Sequence, residues 1–273
     1  MKKLLLILLC LPMIGFGQQT YIPDDNFESY LESNGMGNGI PNDDYVLSSN
    51  IYMVTNLDVS NQNISDLTGI EGFYSLEYLY CYSNQLTSID ITQNIFLVEL
   101  ACNYNNLSSL DVTQNIFLNY FDCTFNNLSS LDVTQNDSLR ALYCSNNQLT
   151  TLDVSNNIFL EGLNCSNNLL SSIDVSQNIY LHWFPCENNF LTTIDLSNNH
   201  HLHTFMCYNN LLTSLDLTNN FYLEYLGCSG NQINTIDVTN NTNLIDFWCY
   251  YNQLSILDVS QNTALEILVC ASN

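Results

Sequence analysis

The chain has 273 residues, of which 46% are hydrophobic and only 11% are charged. The charge is almost entirely acidic, with 27 Asp and Glu against three Lys and Arg, so the formal net charge is −24 at pH 7. Such a surface repels phosphate backbones and anionic lipid headgroups, which argues against nucleic-acid binding and against direct insertion of the mature chain into a membrane. Cations and basic protein surfaces are its natural electrostatic partners.

Residues 1–17 have the form of a secretory signal peptide. Two lysines precede an apolar run over residues 4–11, and the small residues Gly15 and Gly17 mark a cleavage site. The run is too short to span a bilayer. Cys10 would suit a lipoprotein anchor, but the bulky leucine before it disfavours lipidation. We expect the chain to be secreted or held at the cell surface.

Residues 18–53 are predicted to form an N-terminal cap. The segment 23–32 favours a short helix, in which Asp25 and Glu28 suit a capping box. The apolar face of this helix is expected to seal the first coil and consists of Phe27, Tyr30 and Leu31. The Gly-, Asn- and Asp-rich stretch over residues 34–44 favours turns. Its acids and amides would also suit Ca²⁺, although turn chemistry is the favoured interpretation.

Residues 76–273 repeat a 21-residue unit from end to end. The unit is Leu-x-x-Leu-x-Cys-x-x-Asn-x-Leu-x-x-Leu-Asp-Val-x-x-Asn-x-x, and residues 97–117 are a clean copy of it. Residues 54–75 form an irregular first repeat. The last unit stops before its second half, with no C-terminal cap, which suggests either a truncated reading frame or an edge paired in an assembly, the former being favoured. Ten cysteines mark the units, at Cys81, Cys102, Cys123, Cys144, Cys165, Cys186, Cys207, Cys228, Cys249 and Cys270.

Each unit holds two similar halves, and both place apolar residues two positions apart. This is the period of a strand with one buried face. We therefore expect a mainly β repeat solenoid, with two short parallel strands per unit that stack on neighbouring coils at about 4.8 Å. One unit cannot bury its apolar face alone, so stability comes from stacking. The inward positions of the clean copy are Leu100, Cys102, Leu107, Leu110 and Val112.

The unit resembles the leucine-rich-repeat superfamily, with Cys at the third apolar site of the short consensus Leu-x-x-Leu-x-Leu-x-x-Asn/Cys-x-Leu. More narrowly it is similar to the nested 21-residue class, with second half Leu-x-x-Leu-Asp-Leu-x-x-Asn. Residues 54–73 and the segment Ile22-Pro-Asp-Asp-Asn-Phe-Glu are similar to the start of secreted bacterial, Bacteroidetes-type members. The resemblance implies a recognition surface for proteins or glycans and implies no particular activity.

The cysteine ladder has two interpretations. An even set in an exported protein suggests disulfides, but each cysteine replaces a buried leucine, and a free thiol packs as a small hydrophobe. Stacked side chains would also have to twist to reach disulfide geometry. Structural thiols are the favoured interpretation. The asparagines of the two turns, Asn84 to Asn273 and Asn94 to Asn262, are predicted to tie turn backbone groups together.

A column of aspartates is predicted to face solvent between two inward positions. Ser or Thr flanks nearly every member at two residues on either side, so the carboxylates have three expected outcomes: raised pKa values, hydrogen bonds from these hydroxyls, or bound cations. Hydrogen-bonded structural aspartates are the favoured outcome, and Ca²⁺ is the alternative and the one candidate cofactor. The candidate metal ligands are Asp90, Asp111, Asp132, Asp153, Asp174, Asp195, Asp216, Asp237 and Asp258.

The outward face of the Leu-x-x-Leu-x-Cys half varies from unit to unit and is rich in aromatic residues. Tyr and Trp are enriched where proteins bind partners, and they also stack on sugar rings. The alternative is that aromatics simply favour strands and pair across them. The candidate ligand-binding residues are Tyr78, Tyr80, Tyr82, Tyr120, Tyr143, Trp183, Tyr208, Tyr225, Trp248 and Tyr250.

These patterns predict a non-enzymatic extracellular recognition or adhesion protein that binds other proteins through the aromatic strand face. A polysaccharide-binding module on the same face is the alternative, and a Ca²⁺-binding or an ice- or mineral-binding solenoid is less favoured. No catalytic residue is assigned, because no motif pairs a nucleophile with a base. His182 and His203 occupy equivalent sites in adjacent coils, where exposed loop histidines are favoured over a metal site.

Overall fold

A computed structural model of the chain describes residues 17–273, which divide into two compact units, residues 17–127 and residues 128–273. Residues 1–16 of the predicted signal peptide, and Cys10 with them, lie outside the described residues. Each unit is a mainly β solenoid of parallel-strand coils that recur every 21 residues, which confirms the predicted fold class. Within residues 17–273, no helix is both long enough and apolar enough to cross a membrane.

The first unit begins with a small antiparallel pair and two helices and continues into parallel coils. Its elements are β1 (Gln19–Tyr21), α1 (Asp25–Ser33), β2 (Tyr45–Leu47), α2 (Ser48–Ile51), β3 (Asn56–Asp58), a 3-10 helix (Ile70–Gly72), β4 (Tyr78–Tyr80), β5 (Glu99–Ala101) and β6 (Tyr120–Asp122). β1 pairs with β2, and β3 to β6 pair in parallel in sequence order. The first parallel step, from Leu57 to Leu79, spans 22 residues, whereas the next, from Leu79 to Leu100, spans 21.

Helix α1 lies where the sequence predicts a helix, but the predicted capping box is wrong. Asp24, which has the extended backbone that an N-cap requires, accepts hydrogen bonds from the backbone N–H groups of Asn26 and Phe27, both at 3.0 Å. Asp25 is already helical. The buried carboxylate of Glu28 does not return to the cap, because it accepts two backbone N–H groups from the loop before β2.

The second unit contains seven parallel strands of three residues each. They are β7 (Ala141–Tyr143), β8 (Gly162–Asn164), β9 (Trp183–Pro185), β10 (Thr204–Met206), β11 (Tyr225–Gly227), β12 (Asp246–Trp248) and β13 (Ile267–Val269). The central residues of β7 to β12 are buried in the interior, where Phe184, Phe205, Leu226 and Phe247 follow one another along the core. The constant register means that every interior position stacks on its own equivalent.

Each coil contains one strand, and the predicted second strand is absent from the described residues. The Leu-Asp-Val half does place its apolar residues inward, but it makes no strand ladder. The cause is the aspartate. In the clean copy, Asp111 Oδ1 accepts the backbone N–H of Thr113 at 2.9 Å, and this local bond turns the chain where a strand would pair with its neighbour.

The interior follows the predicted pattern closely. In the clean copy, Leu100, Cys102, Leu107 and Val112 are fully buried, and Leu110 is 9% exposed. Nine of the repeat cysteines are buried free thiols, and Cys270 is exposed. Burial raises the pKa of the Cys81 thiol to about 12. Cys81 is therefore a neutral, close-packed core group at physiological pH.

Two ladders of buried asparagines connect the coils. In the first, Asn168 Nδ2 donates to the carbonyl of Cys165 in its own coil and to that of Cys144 in the preceding coil, at 3.1 and 3.0 Å. Its Oδ1 accepts the backbone N–H of Leu149 at 2.9 Å. In the second, Asn178 is fully buried, and its Nδ2 donates to two carbonyls of the preceding coil. Each amide thus completes the backbone hydrogen bonding of the coil before it.

Candidate functional site

The aspartate column consists of local hydrogen-bonded turns. Thr113 is typical, because both its backbone N–H and its hydroxyl donate to Asp111 Oδ1, at 2.9 and 2.7 Å. Equivalent backbone bonds recur at Asp174 and Asp237. These hydrogen bonds hold the pKa of Asp111 below its ordinary value, with the Thr113 hydroxyl as the largest cause. The geometry agrees with the favoured structural interpretation, and the expectation of raised pKa values is wrong for this residue.

A second acidic group lies in the cap. Among the described residues, Asp25, Glu28 and Asp44 are the acidic side chains whose oxygens lie within 4.8 Å of one another in a group of three. Glu28 already accepts the backbone N–H groups of Asp43 and Asp44, at 3.1 and 3.3 Å. These bonds are the turn chemistry predicted for residues 34–44.

The aromatic strand face is built from the two ends of each three-residue strand and the residue after the cysteine. Because the central residue points inward, its neighbours must point outward. The predicted aromatic residues are accordingly half-buried or exposed, with Tyr225 and Trp248 each 37% exposed. The structure places them in separate groups along the coils of each unit.

One group in the second unit spans three coils. The rings of Tyr143 on β7 and Trp183 on β9 meet edge to face, with centroids 5.6 Å apart. Gly162 lies on β8 between them, and a Cβ added there would lie 3.7 Å from both the Tyr143 hydroxyl and the Trp183 ring. The two rings therefore cover the middle strand at Gly162.

A second group lies farther along the same unit. Tyr208 lies across Gly227, where an added Cβ would come within 2.0 Å of the tyrosine ring. Burial raises the pKa of the Tyr208 hydroxyl well above its usual range. Trp248 and Tyr250 have ring centroids 6.5 Å apart. Tyr208 is thus partly a packing residue, whereas Trp248 presents its ring to solvent.

The first unit holds a depression of about 310 Å³ on its strand face. Three of the predicted tyrosines line it together with two carboxylates and two small side chains, the lining being Tyr80, Tyr82, Glu99, Ala101, Asn103, Tyr120 and Asp122. The Tyr80 hydroxyl donates to Glu99 Oε2 at 2.8 Å. Burial, and next this bond, raise the pKa of Tyr80 to about 12. Burial also raises the pKa of Asp122.

The structure adds aromatic residues that the sequence reasoning missed. Tyr104 and Phe125 lie three residues beyond the ends of the depression-lining strands β5 and β6. They stack at a centroid distance of 4.6 Å and are 52% and 43% exposed. Both have left-handed backbone, with φ of 54° and 53°. Bulky residues rarely adopt this conformation. The sequence does indicate a left-handed turn here, because four coils of the second unit carry asparagine at the equivalent position. These residues are Asn146, Asn167, Asn188 and Asn209.

A second missed feature is an exposed apolar column after the second turn asparagine. It passes through four successive coils of the second unit, where Phe159 stacks on Tyr180 at 6.5 Å and His201 stacks on Tyr222 at 6.2 Å. The predicted neighbours His182 and His203 lie 6.5 Å apart. His203 contacts Tyr222, so these histidines belong to a stacked ring column at the edge of the coils.

Comparisons with known proteins agree with this architecture. No protein-family model matches the chain. Internalin J of Listeria monocytogenes serotype 4b (strain F2365) is 39% identical over 74 residues, which is 27% of this chain and 8% of internalin J. The solved functional domain of InlJ from Listeria monocytogenes, which includes a cysteine ladder, is 38% identical with a TM-score of 0.88, covering 93% of this chain and 57% of that one. The chain therefore spans less than two thirds of internalin J and of its solved functional domain.

More distant structures share the fold alone. A leucine-rich-repeat protein of Leptospira interrogans is 24% identical with a TM-score of 0.71, covering 80% of this chain and 60% of its own. The ectodomain of the receptor kinase GASSHO1/SCHENGEN3 from Arabidopsis thaliana, solved in complex with CASPARIAN STRIP INTEGRITY FACTOR 2, is 20% identical with a TM-score of 0.59, covering 74% and 30%. The chain is a leucine-rich-repeat solenoid similar to Listeria internalin J, a fold typical of protein-interaction modules.

Proposed function

We propose that the chain is a non-enzymatic recognition or adhesion protein that binds other proteins outside the cell through its aromatic strand face. The observation that carries the proposal is the contrast between the two sides of each strand. Inward positions repeat the same leucine, cysteine and phenylalanine types, whereas outward positions change from coil to coil and are rich in Tyr and Trp. Variable side chains on a constant scaffold are typical of a recognition surface.

The exposed aromatics at left-handed positions support the same proposal. Tyr104 and Phe125 occupy a backbone conformation that asparagine adopts more easily, and their rings are exposed. Folding therefore does not require rings at these positions. Residues that oppose local backbone preference while their rings stay largely exposed are expected at functional surfaces.

Export is the second part of the proposal. It rests on the signal-peptide pattern of residues 1–17 and on the similarity of residues 54–73 to secreted, Bacteroidetes-type leucine-rich-repeat proteins. Fractionation of the source cells, with detection of the chain in medium, surface and cytoplasmic fractions, tests it. Detection in the cytoplasmic fraction alone would contradict it.

The binding test compares two surfaces of the same unit. The chain without residues 1–17 is immobilised and exposed to extracellular proteins, alongside the variant Trp183→Ala/Trp248→Ala and the control Phe159→Ala/Tyr180→Ala. Both variants remove two aromatic rings, but only the first alters the strand face. We expect the first variant to lose at least tenfold in affinity for a captured protein and the control to stay within twofold. Equal losses, or none, would refute a strand-face site.

Polysaccharide binding is the second candidate, and the ring pairs favour it specifically. The edge-to-face pair of Tyr143 and Trp183, and the exposed Trp248, offer flat apolar faces of the kind that stack on sugar rings. A glycan array run beside the protein capture separates the two candidates. Retention on a polysaccharide column that Trp183→Ala/Trp248→Ala abolishes would establish the glycan function in place of the protein one.

A further inference from the structure

The depression in the first unit combines aromatic rings with two carboxylates that have no basic partner in their own unit. Residues 17–127 contain no lysine, arginine or histidine. The sole arginine of residues 17–273, Arg140, lies in the second unit and pairs with Glu161. Glu99 and Asp122 therefore face the depression without an intramolecular counter-charge from this unit.

The internal contacts of the depression hold the carboxylates in place without neutralising them. The Tyr80 hydroxyl donates to one oxygen of Glu99 at 2.8 Å, and the backbone N–H of Thr124 donates to Asp122 Oδ1 at 2.9 Å. A hydroxyl or an amide orients a carboxylate but carries no positive charge. Burial of Asp122 makes its charge more costly, so a cation that enters the depression gains more than it would at an open surface.

The tyrosine rings of the depression favour one kind of cation over another. Tyr80, Tyr82 and Tyr120 all line the depression, and electron-rich ring faces attract a cation placed over them. A guanidinium group is planar, stacks on aromatic faces and forms paired hydrogen bonds with a carboxylate. An ammonium group is a compact, strongly hydrated charge that matches this lining less well.

We propose that the depression lined by Tyr80, Tyr82, Glu99, Tyr120 and Asp122 is the binding site for an arginine side chain of a protein partner. The proposal rests on the proposed function, since it names the chemistry of the partner at one part of the strand face. The high negative charge of the chain steers basic partners toward it, and the depression supplies the specific contact.

The test uses three capped peptides that need no knowledge of the natural partner. Acetyl-Gly-Arg-Gly-amide, its lysine analogue and its citrulline analogue are titrated into the chain without residues 1–17, followed by ligand-observed NMR and by tyrosine fluorescence. Citrulline keeps the shape of arginine and removes its charge. We expect the arginine peptide to bind at least fivefold more tightly than the lysine peptide, and the citrulline peptide to show no binding.

Variants locate the site. Glu99→Gln/Asp122→Asn is expected to weaken arginine-peptide binding at least tenfold, and Glu266→Gln, which removes one exposed acidic charge elsewhere, is expected to stay within twofold. Circular dichroism and the thermal midpoint of each variant exclude unfolding as the cause. Equal loss in the control would reduce the effect to net charge and overturn the proposal, as would equal binding of lysine and arginine or no arginine binding at all.

The outcomes separate this proposal from the broader one. If a captured protein binds the strand face while Glu99→Gln/Asp122→Asn leaves its affinity unchanged, the arginine site is wrong and protein recognition stands. If the arginine peptide binds as expected but no extracellular protein is captured, the site stands and the broader function loses its support.

Discussion

A buried asparagine of the second ladder, such as Asn178, binds its coil to the preceding one through hydrogen bonds that it donates. The two N–H bonds of Asn178 donate to the carbonyls of Val154 and Asn157, at 3.0 and 2.9 Å. Aspartate has almost the same shape but, when ionised, cannot donate. Both carbonyls would then face a buried negative charge.

Asn178→Asp is therefore expected to lower the free energy of unfolding at pH 7 by on the order of 3 kcal/mol or more. Gln177→Glu adds the same charge at the exposed neighbouring position and is expected to change it by less than about 0.5 kcal/mol. Urea unfolding followed by circular dichroism measures both. Similar midpoints for the two variants would show that the amide is not needed for coil stacking.

Replacing the two aromatic residues with left-handed backbone is expected to stabilise the protein, unlike Asn178→Asp. Other coils carry asparagine at the equivalent position, and asparagine adopts this backbone more easily. Tyr104→Asn/Phe125→Asn relieves backbone strain at two positions and loses one ring stack. The balance is a gain of about 1 kcal/mol in the free energy of unfolding. The reverse change, Asn188→Tyr, is the control and is expected to destabilise, because it also breaks amide bonds to Asn167 and Asn209. A less stable double variant would show that the ring pair serves folding.

At the scale of the element, the turn at each aspartate ends strand pairing in its coil. The aspartate carboxylate accepts the backbone N–H of the residue two positions later. Because hydrogen bonds lower the pKa of Asp90 and Asp216 from the ordinary value of 3.8, their contribution to stability is present above that pH and is lost as the pH falls through the lower folded values. These hydrogen bonds therefore contribute to the stability of the protein at neutral pH.

Calcium tests this account of the column directly. We expect the thermal midpoint to move by less than about 1 °C between millimolar Ca²⁺ and excess chelator. An ion that bound only the folded state would raise the midpoint in Ca²⁺. Magnesium at the same ionic strength is the control for charge screening. A rise with Ca²⁺ alone would establish the column as a cation site and restore the alternative interpretation of these aspartates.

At the scale of the whole molecule, the buried thiols make stability depend on alkaline pH. Burial raises the pKa of Cys165, Cys186 and Cys207 above the ordinary value of 9.0. Their contribution is fully present below pH 9.0 and is lost as the pH rises, because only the unfolded chain ionises them. Each such thiol contributes a slope of about 1.4 kcal/mol per pH unit above that point.

Replacing these three thiols with alanine is therefore expected to reduce the alkaline slope of the free energy of unfolding by about 4 kcal/mol per pH unit. Urea unfolding between pH 8 and 11 with a reductant measures it, and the tyrosines common to both proteins cancel in the comparison. Thiol titration of the denatured chain should find the ten free cysteines of residues 17–273. An unchanged slope, or few free thiols, would contradict the thiol interpretation.

The sequence predicts the interior well and the surface geometry only in part, for physical reasons. Burial of Leu100 and Cys102 follows from the strand period, because alternation is a local property of the backbone. The prediction of a second strand in each coil was wrong, because the hydrogen bond from the Thr113 backbone to Asp111 turns the chain despite that alternation. Tyr143 and Trp183 meet across the intervening strand, over Gly162, and this contact between side chains two coils apart is not encoded by the period of a strand.

The constant register of the amide ladders has a consequence for how such a gene can change. Each coil offers the same carbonyls to the amide of the following coil, so an in-frame gain or loss of one whole repeat restores every interior bond within the array. Unequal recombination between repeats can therefore lengthen, shorten or reorder the outward residues while the interior stays intact. Point mutation alters one contact at a time, whereas this route rearranges whole rows of the outward strand face in a single inherited step.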